Sequence, residues 1–181
     1  MNILNDKMPK SKKEISSNDR KILNALMRNA RQPSIELSKK TKLSRQTVQK
    51  TIRKLEKEHV IWGYPVIVDD QKNGFSNYLV LIKRTTKPID EKLADKIISR
   101  KSEEIVSDIG VKIVTSLYCH GSYDGVISIM ARDIRHAKKF TEQIKTMYGE
   151  YIVEVQLLDI LFFVKKQGIL NPDVDKLKEF V

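Results

Sequence analysis

The stretch LSRQTVQKTIRKLEKEHVI, Leu43 to Ile61, decides how the chain is read. With Ser44 as an N-cap, Val48, Ile52 and Leu55 follow at four- and three-residue steps and form one apolar helical stripe facing a small core. Arg45, Gln49 and Arg53 line up along another face, and Gln46 and Lys50 flank them near the helix N-terminus. Arg and Gln have the geometry to match guanine and adenine edges in a major groove, whereas Lys suits phosphates. Acid is confined to Glu56 and Glu58, at the far end. Ser44, Thr47 and Lys54 complete the candidate nucleic-acid set with these five. A merely solvated helix face would also be polar, so the neighbouring sequence has to decide.

Upstream, Ser17 and Asn18 can each cap a first helix from about Asn18 to Ala30, with the stripe Ile22, Leu23, Leu26, Met27 and Ala30. Pro33 then Ser34 marks a break and a new cap, and Ile35 and Leu37 begin a short second helix to about Lys40. Thr41 to Leu43 makes the turn. Downstream, VIWGYPVIV, Val60 to Val68, reads as a trailing strand with Trp62 as a packing anchor between domains. Three short helices, a tight turn before the third and a trailing strand predict a (winged) helix-turn-helix, whose third helix enters the major groove. A generic three-helix bundle with a wet face is the plain alternative. Turn spacing, side-chain type and local charge agree on DNA instead.

The charge is unevenly divided. Residues 1–66 hold 16 Lys plus Arg against 6 Asp plus Glu, a net of +10, and the remaining residues hold 18 against 17, a net of +1. A field so placed seeks a polyanion, and the short helices lack the aromatic and leucine face that an anionic membrane would need. No apolar run approaches the roughly 20 residues of a membrane span. The first residues, MNILNDKMPKSKKE, lack the apolar centre of a secretion signal. A soluble, cytoplasmic protein is the expectation. A single cysteine, Cys119, excludes an internal disulfide and a cysteine-rich zinc site, and fits a reducing compartment.

The period changes after DDQKNG, Asp69 to Gly74. A buried strand is predicted at Tyr78–Ile82, then a helix capped by Asp90 with the stripe Leu93, Ala94, Ile97 and Ile98. A strand at Val111–Cys119 should place Val111, Ile113, Leu117 and Cys119 on one face. The turn HGSYDG at His120–Gly125 leads to a strand at Val126–Ala131. Asp133 caps a helix carrying Ala137, Phe140, Ile144 and Met147, which Gly149 ends. In the last strand, Tyr151 to about Phe163, Tyr151, Val153, Val155 and Leu157 alternate with Glu154 and Gln156. Strand, helix, strand, strand, helix, strand is the ferredoxin-like βαββαβ order, with two helices on one sheet face. A second subunit is expected on the other face, making a homodimer or a higher homo-oligomer.

The expected fold class is therefore α+β, and the predicted layout has five parts. They are a flexible basic arm over 1–16, a DNA-binding domain over 17–66, a linker over 67–76, an effector and assembly domain over 77–165, and a tail over 166–181. In the tail, Asn171 or Asp173 can cap a short docked helix bearing Leu177 and Phe180.

From Ser17 to Phe163 the chain resembles the Lrp/AsnC, or feast/famine, family of prokaryotic transcription regulators. The block DRKILNALMRNARQPSIELSKKTKLSRQTVQKTIRKLEKEHVIWGY is similar to the family's helix-turn-helix, including Leu55, Glu56, Val60, Ile61, Gly63 and Tyr64. HGSYDGVISIMARD, His120 to Asp133, resembles the turn and strand of its effector domain. The resemblance implies a dimer that assembles further, binding of double-stranded DNA, and modulation by a small effector, often an amino acid. It places that effector between subunits near Gly121, Ser122, Tyr123 and Asp124. Asp159, the run ILFFV at 160–164 and the tail beyond Lys166 depart from the family pattern.

Read as residues alone, Tyr123 and Asp124 form a hairpin turn, and Gly121 and Gly125 serve its geometry. His59, His120 and His136 are too scattered for a metal site, and Cys119 reads as a packed thiol. No nucleophile-and-base pattern, phosphate loop or dinucleotide fingerprint is present, so neither enzyme activity nor a cofactor is indicated. Two alternatives share the architecture or the charge. One is a sequence-independent, chromatin-like DNA-binding protein. The other is an enzyme resembling the haem-pathway decarboxylases, which would hold a tetrapyrrole in the C-terminal cleft.

Overall fold

The computed structural model describes residues 14–99, 106 and 108–181. The arm expected over 1–16 therefore lies, up to residue 13, outside the described residues. The described chain divides into two compact units, each taken by itself. Residues up to Ile67 with Lys165–Leu170 form one, and Val68–Val164 with Asn171–Val181 form the other.

The first unit holds α1 (Ser17–Arg28), α2 (Ser34–Thr41) and α3 (Arg45–Lys57). Ile22, Leu26, Leu37 and Val48 close a small core, against which Ala25, Leu43, Ile52 and Ile61 pack. The helix starts differ in detail from expectation. The cap of α1 is Ser16, whose side chain accepts from Asp19 N while Asp19 accepts from Ser16 N, so a reciprocal capping box outcompetes Ser17 and Asn18. Met27 and Ala30, expected in the stripe, are exposed; α1 ends at Arg28 with Asn29 as an extended C-cap, so Ala30 lies beyond the helix. Pro33 is the N-cap residue of α2 without a side-chain bond, and Ser34 is already helical. Lys42 closes α2 in the left-handed region at φ 58°.

The trailing strand expected at Val60–Val68 forms no ladder among the described residues. Trp62 is 94% exposed and donates its indole N–H to the His59 carbonyl at 2.7 Å. A two-residue ladder, Lys165–Lys166 with Ile169–Leu170, appears near the end of the chain.

The second unit contains β1 (Ser76–Arg84), α4 (Glu91–Ile98), β2 (Val111–Tyr118), β3 (Gly125–Ala131), α5 (Ile134–Tyr148), a 3-10 turn at Gly149–Tyr151 and β4 (Ile152–Ile160). The sheet order is β2-β3-β1-β4, antiparallel throughout, as the split βαβ pattern requires. Ala137, Phe140 and Ile144 of α5 bury against Tyr78, Val80, Ile129 and Ala131 of the sheet. Asp90 caps α4 through Leu93 N, and Asp133 caps α5 through Arg135 N and His136 N. In α4, however, Ile97 and Ile98 are exposed and only Leu93 of the expected stripe is buried.

Two bulges reset the strand faces. Ile113 pairs with Ile129 and Thr115 with Ser128, so Val114 is an extra residue and Leu117, opposite Val126, faces away from Ile113. Lys83 pairs with Glu154 and Arg84 with Ile152, which leaves Val153 bulged and exposed rather than in the apolar row. The sheet face opposite α5 presents Leu79, Leu81, Leu117, Val126, Met130 and Leu158, with Leu117 and Leu158 about half exposed.

After β4 come β5 (Lys165–Lys166) and β6 (Ile169–Leu170), then a short 3-10 helix at Val174–Glu179, at whose start Asp173 makes no side-chain cap bond. The tail is nevertheless tied down: Asn171 Nδ2 donates to the Phe163 carbonyl at 2.9 Å, and Phe180 packs on Phe162 with ring centroids 5.5 Å apart. Among the described residues no helix is long and apolar enough to cross a membrane.

Candidate functional site

Helix α3 is built so that one face has no freedom and the other has all of it. Ser44 caps it by accepting from Thr47 N at 3.1 Å, and Val48, Thr51 and Leu55 are buried. That anchoring leaves Ser44, Arg45, Gln46, Thr47, Gln49, Lys50, Arg53 and Lys54 all exposed on one unit. Three of these eight are already engaged. The hydroxyls of Ser44 and Thr47 share a 2.8 Å hydrogen bond, which holds the first turn of the helix. Lys54 Nζ donates to Asp19 Oδ2 at 2.9 Å, and Asp19 is 3% exposed, so Lys54 ties α3 to α1. Arg45, Gln49 and Arg53 repeat at four-residue steps with no hydrogen-bond or ion-pair partner among the described residues, and Gln46 and Lys50 repeat beside them.

The turn ahead of α3 is held by its own bonds. Ser38 Oγ donates to the Leu43 carbonyl at 2.6 Å, and Leu43 N donates back to the Ser38 carbonyl at 3.3 Å. The buried Gln32 fixes α1 to α2: its Nε2 donates to the carbonyls of Ala25 and Asn29 at 2.8 and 2.9 Å, and its Oε1 accepts from Lys40 Nζ at 2.8 Å. Asp19 and Gln32 were not singled out in the sequence. The Ser16–Asp19 spacing is a readable capping-box signal, but nothing local marks Gln32.

The second candidate site is the hairpin between β2 and β3. Gly121 and Ser122 are exposed at its tip, and Gly121 sits at φ 149°, in the region that favours glycine. Tyr123 and Asp124 are partly buried and both are used structurally. The Tyr123 hydroxyl donates to Gln156 Oε1 at 2.7 Å. Asp124 stitches the sheet end: its N donates to the Ile82 carbonyl, its carbonyl accepts from Cys119 N, and its Oδ2 accepts from Arg84 N at 2.8 Å. The four residues are contiguous, but only Gly121 and Ser122 are unengaged. Among the described residues no group of three or more His, Cys, Asp or Glu is placed to hold a metal ion.

Comparison with known proteins adds family context to this geometry. The winged helix-turn-helix DNA-binding family matches residues 15–61. An uncharacterized HTH-type transcriptional regulator of Pyrococcus furiosus is 30% identical over 138 residues, 75% of this chain and 85% of that one. The regulatory protein AsnC of Haemophilus influenzae is 26% identical over 80% of this chain and 84% of its own. Among solved structures, a Neisseria meningitidis transcriptional regulator in complex with L-Met superposes with a TM-score of 0.62 at 15% identity, over 88% of this chain and 98% of that one.

Proposed function

The chain belongs to the Lrp/AsnC family of HTH-type transcriptional regulators, and from that premise we propose that it reads double-stranded DNA with Arg45, Gln46, Gln49 and Lys50 of α3. Ser44, Thr47, Arg53 and Lys54 support that reading from the same face. The observation that carries the proposal is the division of α3 itself: Val48, Thr51 and Leu55 are buried, while the polar face is exposed in the part of the chain that holds +10 of the +11 net charge. Lys and Arg neutralise phosphates, which sets affinity, and the Arg and Gln side chains discriminate bases. The reading assigns the protein no catalytic residue and no cofactor.

Two further parts of the proposal concern assembly and control. The apolar sheet face opposite α5 suits a second copy of the same chain, and a two-fold dimer presents two recognition helices to a pseudo-palindromic site. The hairpin at Gly121, Ser122, Tyr123 and Asp124 is the proposed effector region, with an amino acid as the effector class by analogy with the L-Met complex of the Neisseria protein. An effector there would act through its differential affinity for two assembly states.

The test is a titration of the intact protein against DNA from upstream of its own gene and against shuffled DNA of equal length, at two salt concentrations. A preference for the native fragment that survives higher salt is the expected result. Equal, steeply salt-dependent binding to both would replace this reading by a chromatin-like one.

A further inference from the structure

Within the second unit, a cavity of about 230 Å³ lies between α4, α5 and the sheet. At roughly 30 Å³ per water molecule that is room for about eight waters, the size of a small organic molecule. Its floor is Leu93, Ile144 and Tyr151, all buried, and Ile97 and Tyr118 stand exposed at its rim. The lining is apolar with few polar groups, the usual make-up of a small-molecule site. Among the described residues, Arg84 is the one basic residue in that lining and Asp124 the one acidic residue.

Arg84 is held in place without being saturated. Nη1 donates to the Tyr118 hydroxyl at 2.9 Å and Nη2 to the Lys87 carbonyl at 2.8 Å, while Nε is buried with no hydrogen-bond partner. A guanidinium has five N–H donors, so three remain. The Tyr118 oxygen accepts from Arg84, which leaves its own proton to donate. Two donors, one of them charged, therefore converge beside an apolar cavity. That is the arrangement a carboxylate meets in charge-assisted recognition. Asp124 is less available, since its Oδ2 already accepts the Arg84 backbone N–H. An ammonium brings three donors and needs acceptors that this lining supplies poorly.

We propose that this cavity binds a small hydrophobic monocarboxylate lacking an ammonium group, with its hydrocarbon body against Leu93 and Ile144 and its carboxylate on Arg84 and Tyr118. The site lies inside one subunit and uses none of Gly121, Ser122 or Tyr123. Its failure would leave the DNA reading and the hairpin reading untouched.

Calorimetric titration of the full-length protein tests it with three probes: isocaproate, its neutral counterpart isohexanol, and leucine, which is isocaproate with an ammonium added. Saturable isocaproate binding is expected, with isohexanol at least about tenfold weaker because it forfeits the charge-assisted bonds. Arg84→Gln should weaken isocaproate by a similar factor, Tyr118→Phe by a smaller one, and Ile97→Trp should block the cavity from its exposed rim. If Arg84→Gln does not fold, Tyr118→Phe and Ile97→Trp carry the test. No saturable isocaproate binding, isohexanol binding as well as the acid, leucine binding more tightly than isocaproate, or indifference to Ile97→Trp would each overturn the proposal.

Discussion

Lys54 Nζ lies 2.9 Å from Asp19 Oδ2, so a residue on the proposed DNA-reading helix is bound to the first turn of α1. Asp19 is 3% exposed and also closes the capping box with Ser16. Replacing Asp19 by Ala removes both roles and should destabilise the protein by about 0.5–2 kcal/mol, the range for a lost cap, since the exposed Lys54 ammonium returns to water. A urea unfolding curve read at neutral pH checks this. An unchanged midpoint would mean that the bond is ornamental.

The same bond makes a pH prediction. Donation from Lys54, foremost, and from Ser16 holds the Asp19 carboxyl below its ordinary range, against the opposing effect of burial. A depressed folded-state value contributes stability that is present above the unfolded carboxylate value of about 3.9 and is lost as pH falls through the folded value. Asp133, held low first by the Arg135 and then the His136 side chain, adds to the same acid limb. Thermal midpoints should therefore fall more steeply below about pH 4 in the wild type than in Asp19→Asn. Parallel curves would refute the assignment.

On α3, Gln49 and Arg53 should behave differently. Gln49→Ala should remove about 1–3 kcal/mol of discrimination at one base position, whereas Arg53→Ala, outside the base-reading four, should weaken all sequences alike and flatten the salt dependence. Lys54→Ala should cost stability more than DNA affinity, because its ammonium is engaged with Asp19. Binding to a panel of single-base operator variants separates the three outcomes. No change in base preference for Gln49→Ala would remove that residue from the reading set.

Leu158, nearly half exposed on the open sheet face, tests assembly. Leu158→Glu places a charge where a second copy would bury it, and should shift the mass measured by light scattering towards the monomer. An assembly of unchanged mass would move the interface elsewhere.

Tyr64 supplies a spectroscopic check on the end of α3. Burial first, and then donation to Glu56 Oε1 at 2.8 Å, push its phenol up to about 12. Glu56→Gln should lower that value, visible in an ultraviolet titration as one tyrosinate forming earlier. A titration that does not change would break the link.

What the sequence determined by itself was local. The 3.6-residue stripe Val48, Ile52 and Leu55, the Ser44, Asp90 and Asp133 caps, and the strand-helix order depend on residues within a few positions of one another, where helix geometry and capping are decided. The exposed face of α3 could be read for the same reason: once the stripe is buried, the opposite face is fixed. Tertiary structure decided everything that depends on phase or on distant partners. One extra residue at Val114 and another at Val153 turn Leu117 and Val153 out of the rows that simple alternation predicts, because a bulge reverses the two-residue period beyond it. Lys54 meeting Asp19, Tyr123 meeting Gln156 and Arg84 meeting Tyr118 each join residues more than thirty positions apart. Such pairs are set by how elements pack, and no local pattern in the chain encodes them.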